Sequence, residues 1–111
     1  MSLDAGRRDK RIVFERFTEI GRDALNAPIQ EWAEYAKAWA AVYYGSGAEQ
    51  REAAQTSASL SASFEVLANS KTRSLLLTDR IRFDGLLWDI RSTIPFGHNA
   101  GVRISAVAVT G

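Results

Sequence analysis

The chain has 111 residues, of which 46% are apolar and 24% are charged, with a formal net charge of +1 and no cysteine. This length and composition fit a single folded domain and exclude an intrinsically disordered chain. Without cysteine the chain has no disulfides and no thiolate metal sites, and no apolar run approaches the roughly 18 residues of a membrane span. We therefore expect no membrane partner, and the near-neutral charge gives no general reason to expect nucleic-acid binding.

The N-terminus is polar, and we predict a flexible arm over residues 1–9 followed by a single domain over residues 10–111. The basic residues at this end are Arg7, Arg8, Lys10 and Arg11. They either keep a tail soluble or contact DNA or an acidic neighbour. Residues 11–17, RIVFERF, combine β-branched and aromatic side chains, which predicts a strand that is partly covered on both faces.

Residues 18–30 predict a long loop, because Gly21, Asn26 and Pro28 stand among mixed charges. The following segment, residues 31–43, is ambiguous. Its aromatic residues and alanines recur at helical spacing, which favours a helix slightly. At a period of two, the same side chains alternate as they do in a strand. The local sequence therefore leaves helix or strand open.

Ser46-Gly47-Ala48-Glu49 has the pattern of a capping box, in which the Ser46 and Glu49 side chains bind each other's backbone amides. We therefore predict a short helix from about Gly47 to Ala54. Residues 56–67 then alternate and predict a half-buried strand. Its apolar face has Ala58, Leu60, Ala62, Phe64 and Val66, and its solvated face has Ser57, Ser59, Ser61, Ser63 and Glu65.

Residues 78–93, TDRIRFDGLLWDIRST, are the strongest structural signal in the chain. Asp84-Gly85 supplies the positive φ angles that a two-residue type I′ turn needs between two alternating runs. In the resulting register Phe83 faces Leu86, Arg82 faces Leu87, Ile81 faces Trp88, and Arg80 faces Asp89. The apolar face then contains Ile81, Phe83, Leu86, Trp88 and Ile90. On the opposite face, Arg80 and Asp89 are expected to form an opposite-charge pair.

The C-terminal part of the chain predicts a loop followed by a strand. Residues 95–101, PFGHNAG, have loop composition. The last strand has Val102, Ile104, Ala106 and Ala108 on one face, and Arg103, Ser105, Val107 and Val109 on the other. Many short alternating strands at this spacing predict a mainly β fold: a small antiparallel β-barrel with one short inserted α-helix and long loops.

Few residues suit catalysis. His98 is the only histidine and lies in a glycine-flanked loop, so we expect an exposed loop residue rather than a catalytic base or metal ligand. Asp79, Asp84 and Asp89 could act as acids or bind Mg²⁺, but each has a structural role available. Gly45-Ser46-Gly47 lacks the lysine and spacing of a phosphate-binding loop. We assign no catalytic, cofactor-binding or metal-binding residue and no cofactor, and we expect that the protein is not an enzyme.

Aromatic side chains with interleaved arginines also occur in OB-like barrels that bind single-stranded nucleic acid. The residues concerned are Phe83, Trp88, Arg80, Arg82 and Arg91. The register of the hairpin directs Phe83 and Trp88 to its apolar face, which favours a role in the core. A nucleic-acid-binding barrel remains an alternative, and it predicts affinity for single-stranded DNA that falls with salt and depends on Arg80 or Arg82.

The order and spacing of the segments are distinctive although each segment is a plain strand or turn pattern. The segments are RIVFER at residues 11–16, a loop with Gly21, Trp32, WAAV at residues 39–42, SGAEQREAA at residues 46–54, SASFEV at residues 61–66, DRIRFDGLLWDIRST at residues 79–93 and a long final strand. From about Ala5 to Val109, this order resembles the phage head-tail joining proteins, also called head-closure or stopper proteins.

The resemblance implies a small β-barrel with an inserted helix, and it implies that residues 31–43 are a strand. It also implies a structural virion protein of a tailed phage or prophage. Copies would form a ring, usually dodecameric in this family, under the portal or its adaptor. The ring would retain the packaged double-stranded DNA that passes through its channel and offer tail proteins a docking surface. The implied location is the head-tail interface of the virion, after assembly in the bacterial host cytoplasm. A tail-terminator or tail-completion protein is the nearest alternative role.

Overall fold

The computed structural model describes residues 8–45 and 59–109, and this part of the chain is almost entirely β-structure. The strands are β1 Lys10–Arg22, β2 Pro28–Tyr44, β3 Ser59–Leu67, β4 Arg80–Phe83, β5 Leu86–Phe96 and β6 Gly101–Val109, and a 3₁₀ helix spans Thr72–Ser74. The predicted capping box at Ser46, the predicted helix Gly47–Ala54 and residues 1–7 of the predicted N-terminal arm lie outside the described residues.

The strands close into an antiparallel barrel in the order β1-β2-β3-β6-β5-β4, with β4 pairing back onto β1. This architecture confirms the predicted mainly β fold. The hairpin of β4 and β5 has the predicted register, with Phe83 opposite Leu86 and Ile81 opposite Trp88. Its turn residues Asp84 and Gly85 have φ angles of 55° and 74°, as a type I′ turn requires.

The core fills the inside of the barrel with alternate residues from every strand. Phe64, Ile81 and Trp88 are at most 1% exposed. Trp88 packs edge-on against Phe64 with ring centroids 5.3 Å apart, and its indole N–H donates to the carbonyl oxygen of Phe83 at 3.2 Å. The other members of the core are Ile12, Phe14, Ala40, Ala62, Val66, Leu75, Ile90, Val102, Ile104, Ala106 and Ala108. They include the whole predicted inward face of β6, and with Phe64 they give three of the five residues predicted for that of β3. Leu60 is partly buried against this core, and Ala58 lies outside the described residues.

Two predictions from local sequence are wrong. Residues 18–30 do not form a long loop, because β1 continues to Arg22 and β2 begins at Pro28, which leaves only residues 23–27 as the turn. Residues 31–43 are a strand, as the family resemblance implied, and not the helix that their spacing favoured. Pairing with β1 supplies backbone hydrogen bonds along this segment, and such tertiary contacts override a slight helix propensity.

Three smaller differences concern loop length and ion pairs. The turn between β5 and β6 is confined to residues 97–100. Glu65, which was predicted on the solvated face of β3, is only 7% exposed, because it accepts a hydrogen bond from Arg103 Nε at 2.8 Å. Arg80 lies opposite Asp89 as predicted, but its ion pair is with Glu15, with Nε and Oε1 2.8 Å apart. Carboxylates on the outside of the barrel therefore bridge neighbouring strands.

Trp88→Ala should lower the free energy of unfolding by about 3–5 kcal/mol, because it leaves a cavity in the centre of the core. The neighbouring substitution Leu87→Ala is a matched control, since Leu87 is 47% exposed on the outer face of the same strand. We expect it to change stability by only about 0.5 kcal/mol. Urea unfolding of both variants measures the difference, and equal losses would contradict the assignment of the two faces of β5.

Candidate functional site: a projecting ribbon and the loop that braces it

The distal parts of β1 and β2 form a two-stranded ribbon that extends beyond the barrel. β4 pairs with β1 only between Val13 and Glu15, and β3 pairs with β2 only from Ala41 onward. Residues 16–33, here called the ribbon, therefore form strand pairs only with each other. Isolated two-stranded ribbons are marginally stable in water, so this one depends on support at its base.

The ribbon exposes much of its apolar surface. Five of the thirteen exposed large apolar side chains of the described residues belong to it: Phe17, Ile20, Leu25, Ile29 and Trp32. Phe17 and Trp32 lie opposite each other and their ring centroids are 5.5 Å apart. Apolar side chains grouped on a protruding element are typical of surfaces that contact other proteins.

Beyond Arg16 the ribbon is acidic. Residues 17–33 contain Glu19, Asp23 and Glu31 against the single cation Arg22, which gives a formal net charge of −2. Arg22 Nη2 lies 3.8 Å from Glu19 Oε1 in an exposed ion pair. The ribbon therefore presents apolar side chains with carboxylates beside them, which suits a partner surface that is apolar and carries a cation.

The tip of the ribbon is held by hydrogen bonds within residues 22–27. Asp23 Oδ1 accepts from the amides of Leu25 and Ala27, both at 2.9 Å. The Asp23 amide donates to the carbonyl oxygen of Ala27 at 3.0 Å, and the carbonyl oxygen of Asp23 accepts from the Asn26 amide at 2.9 Å. Arg22 Nη1 donates to the carbonyl oxygen of Asn26 at 2.9 Å. Asn26 adopts a φ of 64°, which asparagine tolerates better than most residues. The turn is thus a defined structure.

The base of the ribbon is braced by the loop of residues 68–79. The Arg16 guanidinium donates to both carboxylate oxygens of Asp79, from Nε and Nη2, each at 2.9 Å. It also donates to the carbonyl oxygen of Ser74 at 2.9 Å. Asp79 is 2% exposed and additionally accepts from the amide of Leu76 at 2.8 Å. We call this cluster the brace, because it ties the loop to β1.

Tyr35 forms the second half of the brace from β2. The Arg16 guanidinium lies over its ring, 3.9 Å from the centroid. The Tyr35 hydroxyl donates to the carbonyl oxygen of Lys71 at 2.9 Å, and Lys71 Nζ donates to the carbonyl oxygen of Tyr35 at 3.0 Å. Both strands at the base of the ribbon are therefore attached to the same loop.

The Arg16 guanidinium of the brace carries its charge at neutral pH, because its contacts raise its pKa. The hydrogen bonds to Asp79 are the main cause that raises the pKa of Arg16 above its ordinary value, and burial opposes the shift. A group whose pKa is raised in the folded state contributes its stabilisation in full below its unfolded pKa. That contribution is lost only as the pH rises through the folded pKa, in the strongly alkaline range.

A second ion-pair cluster lies on the outer face of β1 and β4. Glu15 is buried between two cations, with its Oε2 3.7 Å from Arg82 Nε and its Oε1 bonded to Arg80. The Arg80 guanidinium also lies over the Trp32 ring, 4.0 Å from the centroid. Arg80 is thus engaged by the Glu15 carboxylate and the Trp32 ring, and Arg82 lies near the same carboxylate. These are the two arginines on which the nucleic-acid alternative depends.

The residues considered for catalysis, His98, Asp79, Asp84 and Asp89, lie on different elements of the structure. His98 is exposed in the turn between β5 and β6 with a φ of 57°. Asp84 is a turn residue, and Asp89 is exposed on β5. Trp88 points into the core, and Arg91 is exposed on β5. Within residues 8–45 and 59–109, no group of three or more His, Cys, Asp or Glu residues is arranged to hold a metal ion.

Within the described part of the chain, no helix has the length and apolarity needed to cross a membrane.

Sequence reasoning missed the ribbon and the brace. Gly21 and Pro28 indicated a loop, but Gly21 lies at a register shift between β1 and β2, and Pro28 is the first residue of β2. Both positions tolerate these residues in strands. The pattern that could have found the ribbon is the short segment DALNA, with the turn-forming residues Asp23 and Asn26, between two runs that contain β-branched and aromatic residues. Nothing in the spacing indicated the contact between Arg16 and Asp79.

A family model described as phage head completion protein matches residues 3–108. No curated protein matches the sequence.

Two solved structures have the same fold. One is a chain from the virion of a native gene transfer agent particle, with a TM-score of 0.64 and 20% sequence identity over 92% of this chain and 94% of that chain. The other is the solution structure of protein SF1141 from Shigella flexneri 2a, with a TM-score of 0.64 and 18% identity over 94% of this chain and 95% of that chain. At these identities the similarity establishes the fold.

Arg16→Gln should destabilise the protein by about 3 kcal/mol or more, because it leaves the buried Asp79 carboxylate without its cation. Lys37→Gln is the control, since Lys37 forms an exposed ion pair with Glu34 at 3.9 Å. Breaking that surface pair should cost less than about 1 kcal/mol. Urea unfolding at neutral pH compares the two variants, and a similar small loss in both would show that the brace does not stabilise the fold.

Proposed function

The chain belongs to the phage head completion protein family, and on that premise we propose that it is a head-closure connector of a tailed phage or prophage. Copies assemble as a ring, dodecameric when complete, under the portal or its adaptor. The ring retains the packaged double-stranded DNA in the head and provides the docking surface for tail proteins. The protein acts as a structural component at the head-tail interface of the virion and not as an enzyme.

The observation that carries this proposal is the extent of the family match, which spans residues 3–108 and so includes the ribbon and all of the barrel except Val109, the last residue of β6. The charge supports it. A net charge of +1 suits a conduit for DNA, because strong phosphate binding would hinder passage. The aromatic residues of the nucleic-acid alternative are poorly placed for stacking on bases, since Trp88 is in the core and Phe83 packs edge-on against Phe64. Of its arginines, Arg80 is engaged by Glu15.

The ribbon supports assembly into a ring. Contacts between unlike surfaces of identical subunits generate rings when the rotation closes, and they need a protruding element and a receiving surface. The ribbon is a protruding element with exposed apolar side chains and a hydrogen-bonded tip. It is therefore the part of the described structure best suited to reach a neighbouring protein.

Deletion of the gene from the parent phage tests the proposed function directly. Electron microscopy of the lysate should show separate full-length tails beside tailless heads that have lost their DNA, and the gene supplied in trans should restore complete particles. Tails of uncontrolled length would instead indicate a tail-terminator protein. Intact infectious particles without the gene would contradict a role in head completion.

Shortening the ribbon should prevent assembly of the virion while the protein still folds. Thr18 and Glu31 lie directly opposite each other, so an Asn-Gly turn replacing residues 19–30 can join them as a two-residue hairpin. Because these residues contribute nothing to the core, we expect near-normal thermal unfolding. We expect loss of complementation in the phage that lacks the gene, measured as infectious titre. A full titre with the shortened ribbon would rule out the ribbon as an assembly element.

A further inference from the structure

Leu25 at the tip of the ribbon has the properties of a binding anchor. Its side chain is 89% exposed, more than any other large apolar side chain of the described residues. An apolar side chain held in water gives nothing to the stability of the isolated chain. The turn that presents it is nevertheless fixed, since the Leu25 amide itself donates to Asp23 Oδ1 at 2.9 Å. A pre-organised anchor loses little conformational entropy when it binds.

The barrel has a cleft that can receive such an anchor. It lies between the ends of β5 and β6 and the loop of residues 68–79, and has a volume of about 430 Å³. Its lining residues are Ala68, Thr72, Arg73, Thr93, Pro95, Asn99, Gly101 and Val102. The walls combine small or apolar residues with the polar side chains of Thr72, Thr93 and Asn99, and the Arg73 guanidinium lies among them. Because no ribbon residue lines it, the cleft is not occupied by the tip of its own chain.

The tip and the cleft have complementary charges. Asp23, two residues before Leu25, forms no ion pair with any residue that the structure describes. Arg73 likewise has no carboxylate partner within residues 8–45 and 59–109, and its Nη2 donates to the carbonyl oxygen of Asn99 at 3.2 Å. An exposed anion beside the anchor and an exposed cation beside the cleft favour their mutual approach.

We propose that the tip of one copy inserts Leu25 into the cleft of a neighbouring copy, where Asp23 faces Arg73. We take the partner that fills the cleft to be a second copy, because the same chain carries both the anchor and the receiving cleft. The charges of Asp23 beside the anchor and Arg73 beside the cleft are opposite. The contact joins unlike surfaces, so each copy gives a tip to one neighbour and receives a tip from the other, as a ring requires. This inference rests on the proposed function in one respect, namely that copies of the protein assemble side by side.

Disulfide trapping in assembled particles tests the contact, and the chain is suited to it because it contains no cysteine. The Leu25→Cys/Thr93→Cys variant, supplied to the phage that lacks the gene, should give a ladder of covalent oligomers on a non-reducing gel after mild oxidation. The control is Leu25→Cys/Ser63→Cys, since Ser63 lies on the outer face of β3, away from the cleft. It should stay monomeric on the same gel.

The outcomes separate this contact from the proposed function. DNA-filled infectious particles without a ladder would overturn the contact and leave the head-closure role intact, whereas the deletion phenotype decides that role by itself. Equal ladders from both cysteine pairs would also overturn the contact, because they would reflect non-specific oxidation.

A second pair of variants tests the contact between tip and cleft if the Leu25→Cys/Thr93→Cys variant does not assemble. Leu25→Lys should lower the infectious titre at least about tenfold, because it replaces the apolar anchor with a cation that would lie beside Arg73 of the cleft. Ala24→Lys is the matched control, since Ala24 is the adjacent exposed residue of the same turn, and it should keep most of the titre. Thermal unfolding confirms that both variants fold. Equal titres for the two would overturn the proposal.

Discussion

The structure depends on how a short strand closes the barrel. β4 has four residues, whereas its neighbours β1 and β5 have 13 and 11. Both neighbours run antiparallel to β4 and continue past its first residue, Arg80. Beyond Arg80 there is no strand between β1 and β5, and the loop of residues 68–79 covers this end, with Leu75 in the core and Asp79 bonded to Arg16. The short closing strand thus produces both the free ribbon and the brace that supports it.

The sequence predicted the parts of the fold that local chemistry determines. The Asp84-Gly85 turn permits only a few backbone conformations, and the alternation on either side of it permits one register in which Ile81 and Trp88 are buried together. The burial of Ala62, Phe64 and Val66 on β3 and the inward face of β6 followed from period-two alternation in the same way. These predictions held because turn, pattern and burial agreed at the same residues.

The ribbon and the brace could not be predicted in this way. The ribbon is solvated on both faces for much of its length, so the burial that creates clear alternation is missing from residues 18–30. The brace joins Arg16 to Asp79, 63 positions apart, and arginine and aspartate occur throughout the chain. The strand at residues 31–43 required the family resemblance, because its alanines have high helix propensity and only the pairing with β1 decides its conformation.

The brace also determines how the ribbon responds to force. At its base, the ribbon is attached on both sides, through Arg16 on β1 and through Tyr35 on β2, to a loop whose Leu75 is packed in the core. The base of the ribbon is therefore fixed relative to the barrel on both of its strands. A load applied at Leu25 passes along the paired strands of the ribbon to Arg16 and Tyr35, and from the loop that they contact it reaches Leu75 in the close-packed core. If copies contact one another through their ribbons as proposed, this attachment would limit bending between neighbouring subunits under internal pressure.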